Sequence, residues 1–337
     1  MSTNGQRVTI ATIAEAAGVS LPTVSRVLNG HAGVSPETRD RIEFLAREHG
    51  YRPRRTKSAA RSDLVHLLFQ DLDRPWAVEL IRSIEEAARA AGVGTVVSVV
   101  HRDVASTRQR LQSLRDRAST GVILVVSDGG QPPVKLPRLK APMVIIDQVG
   151  GSVADVPTIG VTNWWGGRAA TKHLISLGHR RIGMVEGPKN LLSSRARLDG
   201  YRAALDEAGI RVDGSLIEPG DLDHESGVGA GERLLDRVNR PTAIFASDDQ
   251  AALGVYEAAR LRGVRVPQDL SVVGFGDQPE ARCSAPRLTT VRQPLADMGA
   301  LAVRMVLGLS RGEPTETPRV ELATELVVRD SSAPLAG

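Results

Sequence analysis

Cysteine and aromatic residues are scarce in this sequence of 337 residues. Cys283 is the only cysteine, and the aromatic residues together make up 3% of the chain. A single cysteine forms no internal disulfide and supplies too few thiolates for a zinc site of the cysteine type. We therefore expect no disulfide framework, no metal site and no cofactor.

Long apolar runs are also missing. No stretch approaches the roughly 20 apolar residues that span a bilayer. The opening residues MSTNGQRVTI lack the apolar segment of a secretory signal. These absences predict a soluble, cytoplasmic protein with no membrane partner.

Recognised catalytic motifs do not occur in the chain. The sequence contains no His-Glu-x-x-His, Gly-x-Ser-x-Gly or Gly-x-Gly-x-x-Gly motif and no Walker-type loop. The seven histidines are scattered, and Cys283 has no evident histidine partner. We expect a protein that is not an enzyme and has no catalytic residues.

Positive charge is concentrated at one end. Residues 1–62 contain ten Lys/Arg and five Asp/Glu, whereas the remaining 275 residues contain 33 and 34. A short basic segment on a near-neutral body indicates a polyanionic partner such as nucleic acid. A solvated basic tail is the alternative that composition leaves open.

The N-terminal segment has the pattern of three short helices. Thr9 is placed to cap a helix over 10–17, Ser20 to cap one over 21–28, and Ser35-Pro36 to begin one that ends near His49. Small residues on the first helix and a glycine after it allow two helices to cross closely. The pattern predicts an all-α helix-turn-helix domain.

The remaining sequence alternates between β-rich runs and amphipathic helices. Apolar strands separated by helices are typical of parallel α/β sheets, and so many units favour two lobes over one sheet. The strand-like runs are 64–69, 94–100, 121–126, 142–147, 181–187, 242–247 and 270–275, with a final strand region at 319–328. The helix-like runs are 76–91, 105–117, 166–178, 195–208, 226–237, 249–262 and 295–309.

The string VTIATIAEAAGVSLPTVSRVLNG at 8–30 strongly resembles the start of lactose repressor family members, and the resemblance continues through VSPETRDRI and HGYRP. The alternative is a helical hairpin with no role on DNA. The resemblance implies that Arg26 reads a guanine edge and that Leu21 and Pro22 make apolar base contacts. It further implies phosphate contacts from Thr9, Ser20, Thr23, Ser25, Asn29 and Thr38.

The linker over 51–62 resembles the family's hinge helix imperfectly. The family has asparagine, alanine and leucine where this sequence has Arg54, Lys57 and Ala60. The family's leucine wedges into the minor groove, and alanine is short for that task. We expect a weaker kink, or a hinge that holds phosphates through Arg54, Arg55, Lys57 and Arg61. A shifted register is the third alternative.

The α/β body resembles the two-lobed periplasmic sugar-binding fold that this family uses as its ligand sensor, through strings such as LISLGHRRIGMVEGP, TAIFASDDQAALG and DLSVVGFGD. In that fold the ligand lies between the lobes, at the carboxyl ends of parallel strands. We place the three lobe crossings near Thr162, Gln293 and Val320. The predicted domains are therefore 1–50, the hinge 51–62, one lobe from 63–161 with 293–320, and the other from 162–292 with 321–337.

The resemblance also implies ligand contacts. Arg197 matches the arginine that clamps the ligand, although a surface helix arginine is the alternative. Asp248 matches a hydroxyl acceptor, with Asp249 as the cap of the next helix. Trp76 lies where the family has an aromatic that stacks on a ring, with a core or dimer-face tryptophan as the alternative. The remaining candidates are Asp147, Asn163, Trp164 and Gln293, although either residue of the Trp164-Trp165 pair fits a core position.

One departure bears on the ligand. Many sugar-responsive members have an aspartate where this sequence has Gly276, and Asp277 is not expected to reach the ligand. We expect a repressor that a mono- or oligosaccharide releases from a near-palindromic operator. A larger or less hydroxylated effector, and an effector that promotes operator binding instead, are the alternatives left open. Because the chain has no heptad tail, we expect a homodimer rather than a tetramer. A secreted transporter-linked sugar-binding protein is the rival that the basic N-terminus disfavours.

Overall fold

The computed structural model describes residues 9–28, 34–49, 62–69, 72, 74–99, 119–126, 141–146, 156–314 and 318–335. The chain divides into two units, Met1–Ala60 and Arg61–Gly337, and each is described by itself. The predicted helix over 105–117 and residues 51–61 of the predicted hinge lie outside the described residues.

The first unit contains the three predicted helices. They are α1 (Ile10–Ala17), α2 (Leu21–Leu28) and α3 (Pro36–Glu48). Thr9 and Thr12 form a reciprocal capping box at the start of α1, and Gly18 ends it at φ +66°, a conformation that glycine adopts without strain. The three helices share an apolar core made of Ile13, Ala14, Ala17, Val24, Val27 and Ile42. The prediction of an all-α unit is confirmed.

A parallel sheet of six strands forms the first lobe of the second unit. Its strands are β1 (Ser62–Phe69), β2 (Gly94–Val99), β3 (Ser119–Val125), β4 (Met143–Ile146), β5 (Thr158–Val161) and β11 (Arg319–Leu322), in the order β11-β5-β4-β3-β1-β2. Helices α4 (Pro75–Ala90) and α10 (Leu295–Ser310) pack against it through one continuous apolar core. Every residue of β3, β4 and β5 is buried, which explains the apolar runs Val122–Val125 of β3 and Met143–Ile146 of β4.

A second sheet of six strands forms the second lobe. Its order is β12-β10-β9-β8-β6-β7, and only the pair β10 and β12 runs antiparallel. The strands are β6 (Ile182–Glu186), β7 (Ile217–Pro219), β8 (Ala243–Ala246), β9 (Ser271–Gly276), β10 (Thr289–Arg292) and β12 (Glu325–Val327). The helices are α5 (Asn163–Ser176), α6 (Leu192–Glu207), α7 (His224–Leu235), α8 (Asp249–Leu261) and the short α9 (Pro279–Cys283), with a 3₁₀ turn at Gly214–Leu216.

Two glycines bring α5 and α6 into backbone contact. A Cβ atom at Gly167 would overlap the carbonyl of Arg197, and one at Gly200 would overlap the carbonyl of Trp164. This close approach fixes the part of α6 that carries Arg197 against the start of α5. A larger residue at either glycine would separate the two helices and shift that arginine.

The sequence pattern missed three short strands. β5, β7 and β10 have three or four residues and, unlike the equally short β4 and β8, contain no continuous apolar run, so they depend on pairing with their neighbours. The predicted strand region 319–328 divides into β11 and β12, which belong to different sheets. The chain therefore changes lobe after β5, after β10 and after β11. No helix among the described residues is long and apolar enough to cross a membrane.

Candidate ligand cleft and nucleic-acid interface

Helix α2 exposes the residues that were predicted to read bases. Leu21 is 45% exposed, and Pro22 and Arg26 are exposed beside it, whereas Val24 and Val27 are buried against the other helices. The buried residues attach α2 to the unit and leave the other side of the helix open. An exposed helix face of this kind fits the major groove of DNA.

The hydroxyl residues predicted to contact phosphates cluster at helix N-termini. The hydroxyls of Ser20 and Thr23 lie 2.8 Å apart at the start of α2, and Ser35 Oγ donates to Thr38 Oγ1 over 2.8 Å at the start of α3. Thr9 caps α1. Backbone amides at helix N-termini favour phosphate groups. Ser25 is half-buried within α2, and Asn29, Arg54, Arg55 and Ala60 lie outside the described residues.

A cleft lies between the two lobes of the second unit. The cavity between its walls has a volume of about 50 Å³, and the empty space that includes open solvent is about 630 Å³. Three neighbouring strands of the second sheet, β8, β9 and β10, are each followed by a polar residue of the cleft, namely Asp248, Gln278 and Gln293. Other residues that line it are Arg74, Trp76, Leu80, Leu191, Ser193, Arg197, Leu222, Phe275, Leu295 and Met298. Four of the predicted ligand contacts therefore line the same cleft, namely Trp76, Arg197, Asp248 and Gln293.

Arg197 is held in place on the second-lobe wall. Its side chain is buried, with the residue 6% exposed, so the alternative of a surface helix arginine is wrong. Arg197 Nε donates to Asn163 Oδ1 over 2.9 Å, and Nη1 donates to the Ser247 carbonyl over 2.6 Å. The guanidinium carbon lies 3.8 Å from the centre of the Phe275 ring. These contacts fix the guanidinium plane before any ligand arrives.

Asn163 and Trp164, two of the predicted ligand contacts, are not among the residues that line the cleft. Asn163 is buried, and its Oδ1 accepts from Arg197 Nε. Trp164 packs edge-on against Trp165 with ring centres 4.8 Å apart, and the Arg168 guanidinium lies over both rings. Helix α5 begins at Asn163, so its rotation turns successive side chains to different sides. Asp147 lies outside the described residues.

Asp248 has two tasks. It lines the cleft and it caps α8, because its Oδ1 accepts from the Ala251 amide over 2.8 Å. Burial raises the pKa of Asp248 to about 6. The expectation that Asp249 caps this helix was wrong, because the cap lies one residue earlier. Asp249 is instead fully buried and accepts from the Gln278 amide over 2.8 Å and from Thr290 Oγ1 over 2.5 Å.

The turn after β9 uses its aspartate internally. Asp277 accepts from Arg292 Nε over 2.7 Å and from Arg329 Nη2 over 2.5 Å, with Arg282 at 3.4 Å. Although burial opposes it, these arginines hold the pKa of Asp277 below its usual value. Asp277 is absent from the residues that line the cleft, as expected. The carboxylate forms ion pairs within the second lobe and stabilises it.

Gln278 is the main polar residue that the sequence pattern missed. It is 4% exposed, lines the cleft and lies directly over Gly276, where a Cβ atom would be 3.2 Å from Gln278 Cγ. An amide therefore occupies the space beside the position where many family members carry a carboxylate. Its place just after a strand of the parallel sheet was the available signal. Ser193, Phe275, Arg74 and Leu222 were also missed, because nothing in their local pattern indicates a cleft.

The chain matches two sequence profiles and several known regulators. Residues 9–54 match the bacterial regulatory proteins of the lacI family, and residues 171–332 match the periplasmic binding protein-like domain. The HTH-type transcriptional regulator DegA of Bacillus subtilis (strain 168) is 34% identical over 336 residues, which cover 98% of this chain and 99% of DegA. The HTH-type transcriptional regulator CelR of Thermobifida fusca is 35% identical over 341 residues, or 97% of this chain and 98% of CelR.

Solved structures give the same assignment. A complex of the transcriptional regulator CelR with cellobiose has a TM-score of 0.74 at 34% identity, covering 96% of this chain and 100% of the other. A lac repressor dimer bound to operator and the anti-inducer ONPF has a TM-score of 0.73 at 29% identity, covering 97% of this chain and 100% of the other. The chain therefore belongs to the lacI family of bacterial regulatory proteins, and it is a DNA-binding transcriptional regulator.

Proposed function

We propose that this regulator is a homodimeric repressor that a small saccharide, bound between the lobes, releases from a near-palindromic operator. The observation that carries the proposal is the fixed guanidinium of Arg197 on the wall of a cleft that also presents Asp248 and two amides. A related regulator of the same architecture has been solved with cellobiose. The protein acts in the cytoplasm and performs no catalysis.

The chemistry of the cleft supports a saccharide. Sugar hydroxyls need donors and acceptors in pairs, which Arg197, Asp248 and the amides of Gln278 and Gln293 provide. The C–H side of a sugar ring packs against an aromatic face, which Trp76 provides. Leucines and Met298 complete the apolar part of the wall. A ligand with hydroxyls on one side and C–H groups on the other fits the polar and the apolar parts of the wall.

The DNA-binding half of the proposal rests on α2. Arg26 pairs with a guanine edge, Leu21 and Pro22 contact base edges through apolar surface, and the N-terminal hydroxyls hold phosphates. One helix-turn-helix buries too little surface to bind tightly, so two copies act on two half-sites. In the hinge, Arg54 and Arg55 hold phosphates and Ala60 limits the kink. An unchanged DNA bend on Ala60→Leu substitution would contradict that last point.

Two-state linkage connects the two sites. A saccharide that binds one arrangement of the lobes more tightly shifts the population toward it and changes how the two DNA-binding units are presented. The resulting change in operator affinity equals the coupling free energy, typically about 1–3 kcal/mol. We take the lobes to be 63–161 with 293–320 and 162–292 with 321–337. They follow the DNA-binding unit 1–50 and the hinge 51–62.

A thermal-shift screen against mono- and oligosaccharides, followed by gel shift, tests the proposal. The full chain is screened first, and each stabilising sugar is then added to the complex with operator selected from random duplex DNA. Release of operator is the expected result. Turnover of a sugar by the chain, or a screen in which no saccharide changes the melting temperature or operator binding, would contradict the proposal.

A further inference from the structure

Two hydrogen bonds cross from one lobe to the other at the side of the cleft. Arg74 directly precedes α4 of the first lobe, and its Nη1 donates to the Leu222 carbonyl over 2.9 Å. Its Nη2 donates to the Asp221 carbonyl over 3.3 Å. Asp221 and Leu222 belong to the loop between β7 and α7 of the second lobe. A single guanidinium therefore joins segments that are about 150 residues apart in sequence and belong to different sheets.

The first-lobe end of this contact is joined to the start of α4 and to the first-lobe core. The Arg74 carbonyl accepts from the Ala77 amide over 2.9 Å, and Pro75 begins α4 immediately afterwards. Trp76 packs against the apolar core of the first lobe. The backbone at Arg74 is thus joined to α4 and to the core. Movement of the first lobe therefore moves the guanidinium with it.

The second-lobe end is equally constrained. The Asp221 amide donates to Ser226 Oγ over 2.9 Å, and Asp223 caps α7 by accepting from the Ser226 amide over 2.8 Å. Leu222 has a φ of +58°, in the left-handed region that a leucine rarely adopts. Its side chain packs against Gly187, where a Cβ atom would overlap it. A strained residue held by its surroundings is a common feature of ligand clamps and switches.

Arg74 and Leu222 both line the cleft, so the bridge forms part of its wall. We propose that Arg74 is the positioning residue that holds the two lobes in this arrangement, and that saccharide affinity depends on it through lobe closure. The saccharide part rests on the function proposed above. Opening this side of the cleft separates the guanidinium from both carbonyls. A ligand that contacts both walls therefore binds more weakly when the bridge is absent.

The test uses the full chain and three substitutions. Arg74→Gln removes the positive charge and the guanidinium that donates to both carbonyls. Arg74→Lys keeps the charge but replaces the planar guanidinium with a single ammonium group. Arg82→Gln is the matched control, because Arg82 lies on the same helix, is 71% exposed and pairs with Glu79 within that helix. Hydrogen exchange of the segment 220–228 without sugar measures the bridge from the opposite lobe. Calorimetry with cellobiose as the probe measures the cleft.

We expect faster exchange at 220–228 in Arg74→Gln, and cellobiose affinity lower by about 5-fold or more, as for a typical coupling between sites. Arg74→Lys should lie between Arg74→Gln and the parent, and Arg82→Gln should match the parent in both measurements. Parent-like exchange at 220–228 in Arg74→Gln would overturn the bridge. Faster exchange with unchanged cellobiose affinity would overturn its link to the cleft. If the parent itself fails to bind cellobiose, the choice of ligand fails, while hydrogen exchange still decides the bridge.

Discussion

The DNA-reading helix and the ligand cleft are built in opposite ways. Leu21, Pro22 and Arg26 stand on the exposed side of a short helix whose other side holds the unit together. In the cleft, Arg197 and Asp248 are buried and each makes hydrogen bonds that the second lobe itself requires. Base-reading side chains can therefore change without a cost to folding. A changed ligand contact also disturbs the lobe.

Arg197→Ala should produce the largest effect, because it should change both saccharide binding and the stability of the second lobe. We expect the saccharide response to disappear and the free energy of unfolding to fall by about 3 kcal/mol, because two hydrogen bonds from a charged group are lost. Urea denaturation and calorimetry of the full chain measure the two effects. Arg195→Ala is the control, because that exposed arginine lies two residues earlier on the same helix. Equal losses in both variants would contradict the assignment.

Arg26→Ala should affect DNA binding alone. We expect operator affinity to fall by about 1–3 kcal/mol and base preference to relax at one position of each half-site. The unfolding free energy should stay unchanged, because Arg26 is exposed. Fluorescence anisotropy with a set of operator variants measures the preference. Arg41→Ala, at an exposed position of α3, should leave base preference intact, and a relaxed preference there would weaken the claim for Arg26.

Saccharide affinity should depend on pH through Asp248. Burial raises its pKa to about 6, so the carboxylate is charged above that pH and takes up a proton below it. The charged form is the better hydroxyl acceptor, so affinity should fall about 10-fold between pH 8 and pH 5. Asp248→Asn is a close control, since asparagine also caps helices. Its affinity should be low and flat with pH, and a parent profile that is equally flat would count against Asp248 as a contact.

Ser35→Ala should give the smallest effect. Ser35 caps α3 by accepting from the Thr38 amide, so its loss should destabilise the first unit by about 1 kcal/mol. Base preference should not change, because the reading residues on α2 are untouched. Thermal unfolding and the same anisotropy set measure both quantities. A change in base preference would show that the cap and the reading surface are not independent.

The same contrast explains what could be predicted from the sequence. The helices of the first unit follow one another in a single contiguous segment, so their bounds, their caps and their exposed residues could all be predicted. The predicted strands and helices of the lobes were mostly correct, because long apolar runs and amphipathic helices carry strong periodic signals. Short strands without a continuous apolar run, such as β7 and β10, carried none, since their existence depends on partners elsewhere in the chain.

The cleft could be predicted only in part, because its residues come from many separate segments. Positions within matching strings, such as Arg197 and Asp248, could be carried over. The edge-on packing of Trp164 against Trp165 could not be predicted from spacing alone. The bracing of Asp277 by three arginines depends on tertiary contacts that join distant parts of the chain. The Arg74 bridge to Leu222 depends on lobe packing that no local pattern records.

Operator affinity measured with and without a bound saccharide shows whether a ligand controls this regulator. Fluorescence anisotropy of the full chain on its selected operator gives the affinity, first alone and then with each sugar that raised the melting temperature. We expect operator affinity to drop by at least about 5-fold, the lower end of typical allosteric coupling, and not to drop in Arg197→Ala. An operator affinity that stays the same at saturating sugar would contradict ligand control of this regulator.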